Sequence, residues 1–291
     1  MGLVCVVGSI NLDVMVRLET YPAVGETVLG EAAGRFAGGK GLNQALAAHR
    51  SGATTRFCAL LGDDADGQFL RATVRAAGLD DEHIGVSTAL PSGVAQIALL
   101  PGSENSIIVA QGANTALSAA AASAAAEGAD VVLVQLEIAP ATAEAALAAG
   151  RSTGAITVLN AAPAHGVTPA MLRDTDVLVV NESEAEALGG LESLLRSGPD
   201  AVIVTLGSRG SVCMNRAGER IEVPACSVQA VDTTGAGDAF CGALAASLAA
   251  GSDLGRAMRV AAAAGAIIAT QLGAQSSQLS ESSIERMLAA A

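Results

Sequence analysis

Aromatic residues are almost missing from this chain: among 291 residues there is no Trp, one Tyr and four Phe. Large rings therefore cannot fill the interior. Ala, Val, Leu and Ile must do the packing, within a hydrophobic fraction of 51%. Positive charge is also scarce, with 16 Lys and Arg against 29 Asp and Glu, a net charge of −13, and neither Lys nor Arg anywhere in residues 76–150. Nucleic acid and anionic membrane both call for basic surface, so neither is expected as a partner. Any phosphate bound here must be met by backbone N–H groups, a metal or a few placed cations.

The five cysteines (Cys5, Cys58, Cys213, Cys226 and Cys241) are odd in number and scattered, with no C-x-x-C. Reduced, buried thiols in a cytoplasmic protein are the expectation. His49, His83 and His165 are too dispersed for a zinc site. No apolar run approaches the roughly 18 residues of a membrane helix. Leu3–Val7 reads as a short buried strand, not a signal peptide.

What is present is alternation. Strand-like segments at 3–7, 55–61, 131–135, 156–160, 177–180 and 201–206 are interleaved with helical ones at 67–77, 118–127, 140–150 and 182–189. This pattern predicts an α/β fold with a mainly parallel sheet and helices on both faces. Short strands within 14–36, and a hairpin of 93–100 with 106–110 about Pro101-Gly102-Ser103-Glu104-Asn105, do not fit it and predict a small separate β element.

The most informative stretch is 231–250, where Asp232-Thr233-Thr234-Gly235-Ala236-Gly237-Asp238 runs into a helical pattern with Phe240, Leu244 and Leu248 spaced by four. A helix N-terminus fed by a glycine loop favours anions through unpaired N–H groups and the macrodipole. A carboxylate at the same place either caps the helix or has separate chemistry to perform. Phosphoryl transfer supplies such chemistry, because the loop neutralises the moving group while Asp238 orients a hydroxyl and takes its proton.

Other polar groups follow strand ends. Asn11 and Asp13 share a face if the backbone there is extended, or are simply turn residues. Glu137 lies two residues beyond Gln135. Asn181 with Glu184 reads equally as a capping box or as a pair organising metal-bound water. Thr205-Leu206-Gly207-Ser208-Arg209-Gly210 borders a nucleotide or forms only a hairpin. Lys40, the single lysine, stands between Gly39 and Gly41. Gly34-x-x-x-x-Gly39-Lys40 imitates a P-loop, but Gly41 replaces the hydroxyl residue that would hold Mg²⁺.

Taken together, the Gly38-Gly39-Lys40-Gly41-Leu42-Asn43-Gln44 and Asp232–Asp238 blocks, with Asn11-Leu12-Asp13, Asn160-Ala161-Ala162-Pro163 and Asn181-Glu182-Ser183-Glu184, resemble the ribokinase (PfkB) family of carbohydrate kinases from Gly8 to Ser277. The resemblance implies a ribokinase-like three-layer fold with a β-sheet lid. The core would comprise 1–10, 38–90 and 114–291, the lid 11–37 and 91–113. It implies a sugar held by Asn11, Asp13, Gly39, Lys40, Gly41, Asn43 and Glu137. Asp238 would be the base, and Gly235, Ala236 and Gly237 the anion hole. ATP would lie along Asn181, Thr205, Leu206, Gly207, Ser208, Arg209, Gly210 and Gly237, with Mg²⁺ near Glu184 and Asn181. A monovalent cation, K⁺, would be held by Asp232, Thr234, Ile268, Gln271, Gly273 and Ser277, several through carbonyls. Two lids would pair in a homodimer. Asp13, Asn43 and Glu137 suit a small polyol, which makes ribose the expected substrate, then deoxyribose or another pentose, with another sugar or a nucleoside as the remaining alternatives within the family. A non-catalytic sensor on the same fold is the alternative class. Gln96 is expected to point away from the lid face bearing Ala95.

Overall fold

The computed structural model describes residues 2–101 and 105–290. Its strands are β1 (Leu3–Val7), β2 (Asn11–Arg17), β3 (Glu31–Gly38), β4 (Thr54–Gly62), β5 (Ile84–Ser87), β6 (Gly93–Leu99), β7 (Asn105–Ala110), β8 (Val131–Gln135), β9 (Ile156–Asn160), β10 (Val177–Asn181), β11 (Ala201–Thr205), β12 (Ser211–Asn215) and β13 (Arg220–Val223). The helices are α1 (Lys40–Arg50), α2 (Ala65–Ala76), α3 (Ala119–Ala126), α4 (Pro140–Thr153), α5 (Pro169–Arg173), α6 (Glu182–Ala187), α7 (Leu191–Ser197), α8 (Ala236–Ala249), α9 (Leu254–Ala269) and α10 (Glu281–Ala290).

Nine strands form the central sheet in the order β13-β12-β11-β10-β9-β8-β1-β4-β5. All its pairs are parallel except those made by β12 and β13, which extend the sheet antiparallel beyond β11. Strand alternation assigns the two faces. Val4 and Val6 join a core with Leu42, Leu46, Phe57, Leu70 and Leu244, whereas Cys5 and Val7 join one with Ala122, Ala125, Leu147, Leu159 and Met171. Helices α1, α2, α8 and α9 thus cover one face, and α3, α4, α5 and α7 the other, which is the three-layer α/β arrangement expected. With few rings to bury, the helix contacts are made largely by alanine, as in α3, where Ala122, Ala125 and Ala126 are fully buried.

The chain leaves β1 to pair β4 on one side and returns much later to pair β8 on the other. Strand order therefore reverses at β1. Open parallel sheets have a crevice beyond the C-terminal strand ends at such a point.

A second sheet has four strands in the order β3-β2-β6-β7. It is anchored beside the crevice because β2 begins four residues after β1 ends and β3 runs directly into α1. Gln96 is exposed between buried Ala95 and Ile97, as period two requires. β6 and β7 pair antiparallel from Leu99↔Asn105, while residues 102–104 of the expected turn lie outside the described residues. β7 is exposed along its whole length.

Candidate active site

Helix α8 begins at Ala236 with Gly235 as its N-cap. Gly235 has φ 76°, and a Cβ there would lie 2.5 Å from that of Ala274, so the turn into the helix admits only glycine. Ala236 N–H is used within this turn, donating to Thr233 O at 3.2 Å. The N–H groups of Gly237 and Asp238 have no partner among the described residues. A Cβ on Gly237 would meet nothing within 4 Å, so open space lies before this helix end.

Asp238 is no cap. Its buried carboxylate turns to helix α1, where Asn43 Nδ2 donates to Oδ2 and Gln44 Nε2 to Oδ1, each at 3.0 Å. Each donor is held from behind. Asn43 Oδ1 accepts from Gln275 Nε2 at 2.9 Å, and Gln44 Nε2 also donates to Asn160 Oδ1 at 3.0 Å. Cys241, one turn further along α8, is pushed far above the ordinary thiol range by burial and by Asp238, so it is an inert packing group here.

Two more carboxylates share the crevice. Glu137, just beyond β8, accepts from Ser9 Oγ at 2.6 Å and Lys40 N–H at 3.2 Å. Asp13 lies against Gly38 in the paired strand, where a Cβ would fall 2.1 Å from its Oδ2. Burial first, then the charges of Glu137 and Asp238, push its carboxyl up to about 7. Lys40 is the counter-charge. Burial pulls its ammonium down, but Asp238, Glu137 and Glu184 outweigh this and hold it above its ordinary range. Asn11 is buried with its Oδ1 accepting from Asn114 Nδ2 at 2.7 Å. Gly39, at φ 90°, brings the loop so near that a Cβ would sit 2.9 Å from Asn11 N. Gly41 N–H donates to Ser9 Oγ at 3.3 Å. All seven residues expected to hold a sugar thus gather between β2, α1 and the end of β8.

The residues expected along the nucleotide follow the next strand ends. Asn181 pairs in register with Thr205. The stretch after Thr205 is a short 3₁₀ turn, Gly207–Arg209, closed by Leu206 N–H to Gly210 O at 2.8 Å, and it leads into the antiparallel β12. It is a hairpin at the C-terminal end of β11. Ser208 and Arg209 are exposed, and Arg209 pairs with Glu182. Asn181 and Glu184 make a full capping box, with Glu184 Oε2 accepting Asn181 N–H at 2.9 Å. Glu184 nonetheless acts on Lys40 across the crevice. No cluster of three or more metal-binding side chains occurs among the described residues.

Among the expected K⁺ ligands, Asp232 receives the N–H groups of Thr234 and Gly273, each at 2.9 Å. Burial would raise its carboxyl, but these hydrogen bonds hold it below the ordinary range, so it is anionic. Gln271 N–H donates to Ile268 O at 3.0 Å, which leaves that carbonyl a second lone pair. Ser277 is exposed in the same loop. A carboxylate with a carbonyl of spare acceptor capacity in the neighbouring loop is the kind of donor pair a hard cation takes.

The family model for pfkB family carbohydrate kinases matches residues 1–281. The chain belongs to the PfkB family. It is 36% identical over 287 residues to a ribokinase of Haemophilus influenzae, covering 94% of each chain. It is 33% identical over 290 residues to a deoxyribokinase of Salmonella typhimurium, again covering 94% of each. Arabidopsis thaliana ribokinase, whose structure is complexed with ribose and ATP, superposes with a TM-score of 0.88 at 30% identity, covering 99% of this chain and 98% of that one.

As a PfkB kinase the protein uses ATP to phosphorylate a carbohydrate. Several polar groups in its crevice were not expected from the sequence: Ser9, Gln44, Asn114, Asn160 and Gln275. Gln44 and Asn160 lie inside family motifs, so their polarity at buried positions was the available signal. Gln275 carried none, since it sits in an irregular loop far from its partners in sequence. Among the described residues no helix is long and apolar enough to cross a membrane.

Proposed function

We propose that this PfkB kinase transfers the γ-phosphoryl group of ATP to the primary hydroxyl of D-ribose, giving D-ribose 5-phosphate. The observation that carries the reading is Asp238, a buried carboxylate with both oxygens aimed by amide donors, beside two unpartnered N–H groups at a helix start. The sugar hydroxyl gives its proton to Asp238 as its oxygen attacks the γ-phosphorus. The N–H groups of Gly237 and Asp238, with Gly235 shaping the turn, face the charge that builds on the phosphoryl oxygens. Asn11, Asp13, Asn43 and Glu137 take the sugar hydroxyls, and Lys40 balances the carboxylates. ATP lies along Asn181, Thr205 and the 206–210 turn.

Glu184 would hold Mg²⁺ together with the ATP phosphates, since Mg²⁺ commonly needs only one or two protein carboxylates there. Asp232, Thr234, Ile268, Gln271, Gly273 and Ser277 would hold K⁺. Held there, the two cations would neutralise phosphate charge and stiffen the loop before α8. The four-stranded sheet is the lid, segments 11–37 and 91–113, closing over the sugar. Its unpaired edge β7 exposes Ile107, Ile108 and Val109 by 50%, 68% and 41%, which suits pairing with the lid of a second copy. A monomer in sedimentation velocity would remove that pairing.

Ribose is favoured over deoxyribose by the ribokinase relatives, and the Salmonella deoxyribokinase keeps deoxyribose as the second reading. A coupled ADP-release assay over ribose, deoxyribose, fructose and adenosine decides between them, with kcat/KM for ribose expected to be highest. Asp238→Asn should lower kcat by at least about 100-fold with ATP binding preserved. Near-parent turnover in that variant would end the assignment of Asp238, and silence of the parent on every sugar would favour a sensor.

A further inference from the structure

Gln44 is fully buried, so it cannot touch a substrate, yet it reaches the group proposed as the base. Both hydrogens of its Nε2 are used, one on Asp238 Oδ1 and one on Asn160 Oδ1, each at 3.0 Å. Asn160, at the end of β9, is braced in turn by Nδ2 donating to Val179 O of β10 at 3.3 Å. A relay of side chains thus runs from the sheet to the catalytic carboxylate.

The other end of the same amide tells what it is for. Gln44 Oε1 is buried without a hydrogen-bond partner among the described residues. Buried amides in a purely packing role are normally satisfied at both ends, because an unmade hydrogen bond is costly. Flipping the amide would turn Oε1 toward a carboxylate and a carbonyl oxygen, neither of which donates. The orientation is therefore dictated by Asp238 and Asn160 at the expense of Oε1. Asn43 differs: it holds Oδ2 of Asp238, but its own oxygen is satisfied by Gln275.

We infer that Gln44 is a positioning residue for phosphoryl transfer, locking Oδ1 of Asp238 so that Oδ2 is the atom that receives the hydroxyl proton. In that step the O–H bond of the sugar breaks and its proton passes to Oδ2. The sugar oxygen bonds to the γ-phosphorus, and the bond from that phosphorus to the bridging oxygen breaks to release ADP. The inference rests on Asp238 being the base.

Its test uses the full-length enzyme with ATP and its best sugar. Gln44→Met keeps the side-chain length and removes the unpaired oxygen, but it also takes a donor from Asp238 Oδ1 and Asn160 Oδ1, so a modest fall in melting temperature is expected and kcat is read well below it. Misaiming the base should lower kcat on the order of 100-fold while KM for sugar and for ATP stays within about threefold. In Gln44→Glu only the protonated carboxyl can donate to Asp238, so its kcat should rise as pH falls, opposite in sign to a general-base enzyme. This sign also decides the matter if the Met variant fails to fold. Asn160→Ala should lose part of the rate, and none further when added to Gln44→Met. A Met variant with near-parent kcat, a loss confined to KM, or a Glu variant with the parent's pH profile would overturn the inference. Asp238→Asn, assayed alongside, separates the two readings: if it is inactive while Gln44→Met is active, only the role of Gln44 fails.

Discussion

Replacing Asp13 by Asn should make the unliganded protein more stable and its sugar binding weaker. The Asp13 carboxyl has an ordinary value of 3.8 and is pushed up to about 7 by burial, Glu137 and Asp238. Between those two values the folded state holds more protons than the unfolded one. Stability therefore falls as pH rises through the window and is lowest above pH 7. A shift of about 3 units corresponds to about 4 kcal/mol as a ceiling. Water at the partly exposed edge of the site screens some of this, and a gain of about 2 kcal/mol is the working expectation for Asp13→Asn at pH 8. For a chain of this size that is a rise of roughly 4–8 °C in Tm. Thermal melts of both proteins from pH 4.5 to 8.5, without ligands, should show the gap opening with pH and nearly closing at the acid end. Sugar affinity, read by calorimetry, should drop by roughly 10- to 100-fold through loss of charge-assisted hydrogen bonds. A variant no more stable at pH 8, or a gap independent of pH, would refute the argument that Asp13 is held ionised against its environment.

Sugar hydroxyls that donate to Asp13 stabilise its ionised form, so binding near pH 6.5 should release up to about one proton. Calorimetry in two buffers of different ionisation enthalpy measures this, and a buffer-independent heat would argue against Asp13 as a sugar ligand. Replacing K⁺ by tetramethylammonium should slow turnover, because the larger ion cannot sit among Asp232 and the loop carbonyls. Equal rates in both salts would remove those residues from the site.

The alternation of buried strands with helices was legible along the chain because period two and period 3.6 are local properties. The same holds for the start of α8, where Gly235 and the apolar spacing of Phe240, Leu244 and Leu248 mark a helix N-terminus. The short strands β5, β12 and β13 at the two ends of the central sheet were not legible, since four or five partly polar residues are too few for a periodic pattern to stand out.

What Asp238 does with its two oxygens was decided by tertiary structure alone. Its donors stand 195 and 194 residues away in sequence, and they meet it only because α1 and α8 pack on the same face of a sheet whose order reverses at β1. Periodicity assigns a residue to a face, but strand order decides which faces become neighbours. The raised carboxyl of Asp13 has the same origin. Nothing in the strand Asn11–Arg17 is unusual for a carboxylate until Glu137 and Asp238 are folded beside it. The capping box of Asn181 and Glu184 could be read from their spacing, whereas the pull of Glu184 on Lys40 required the crevice to form.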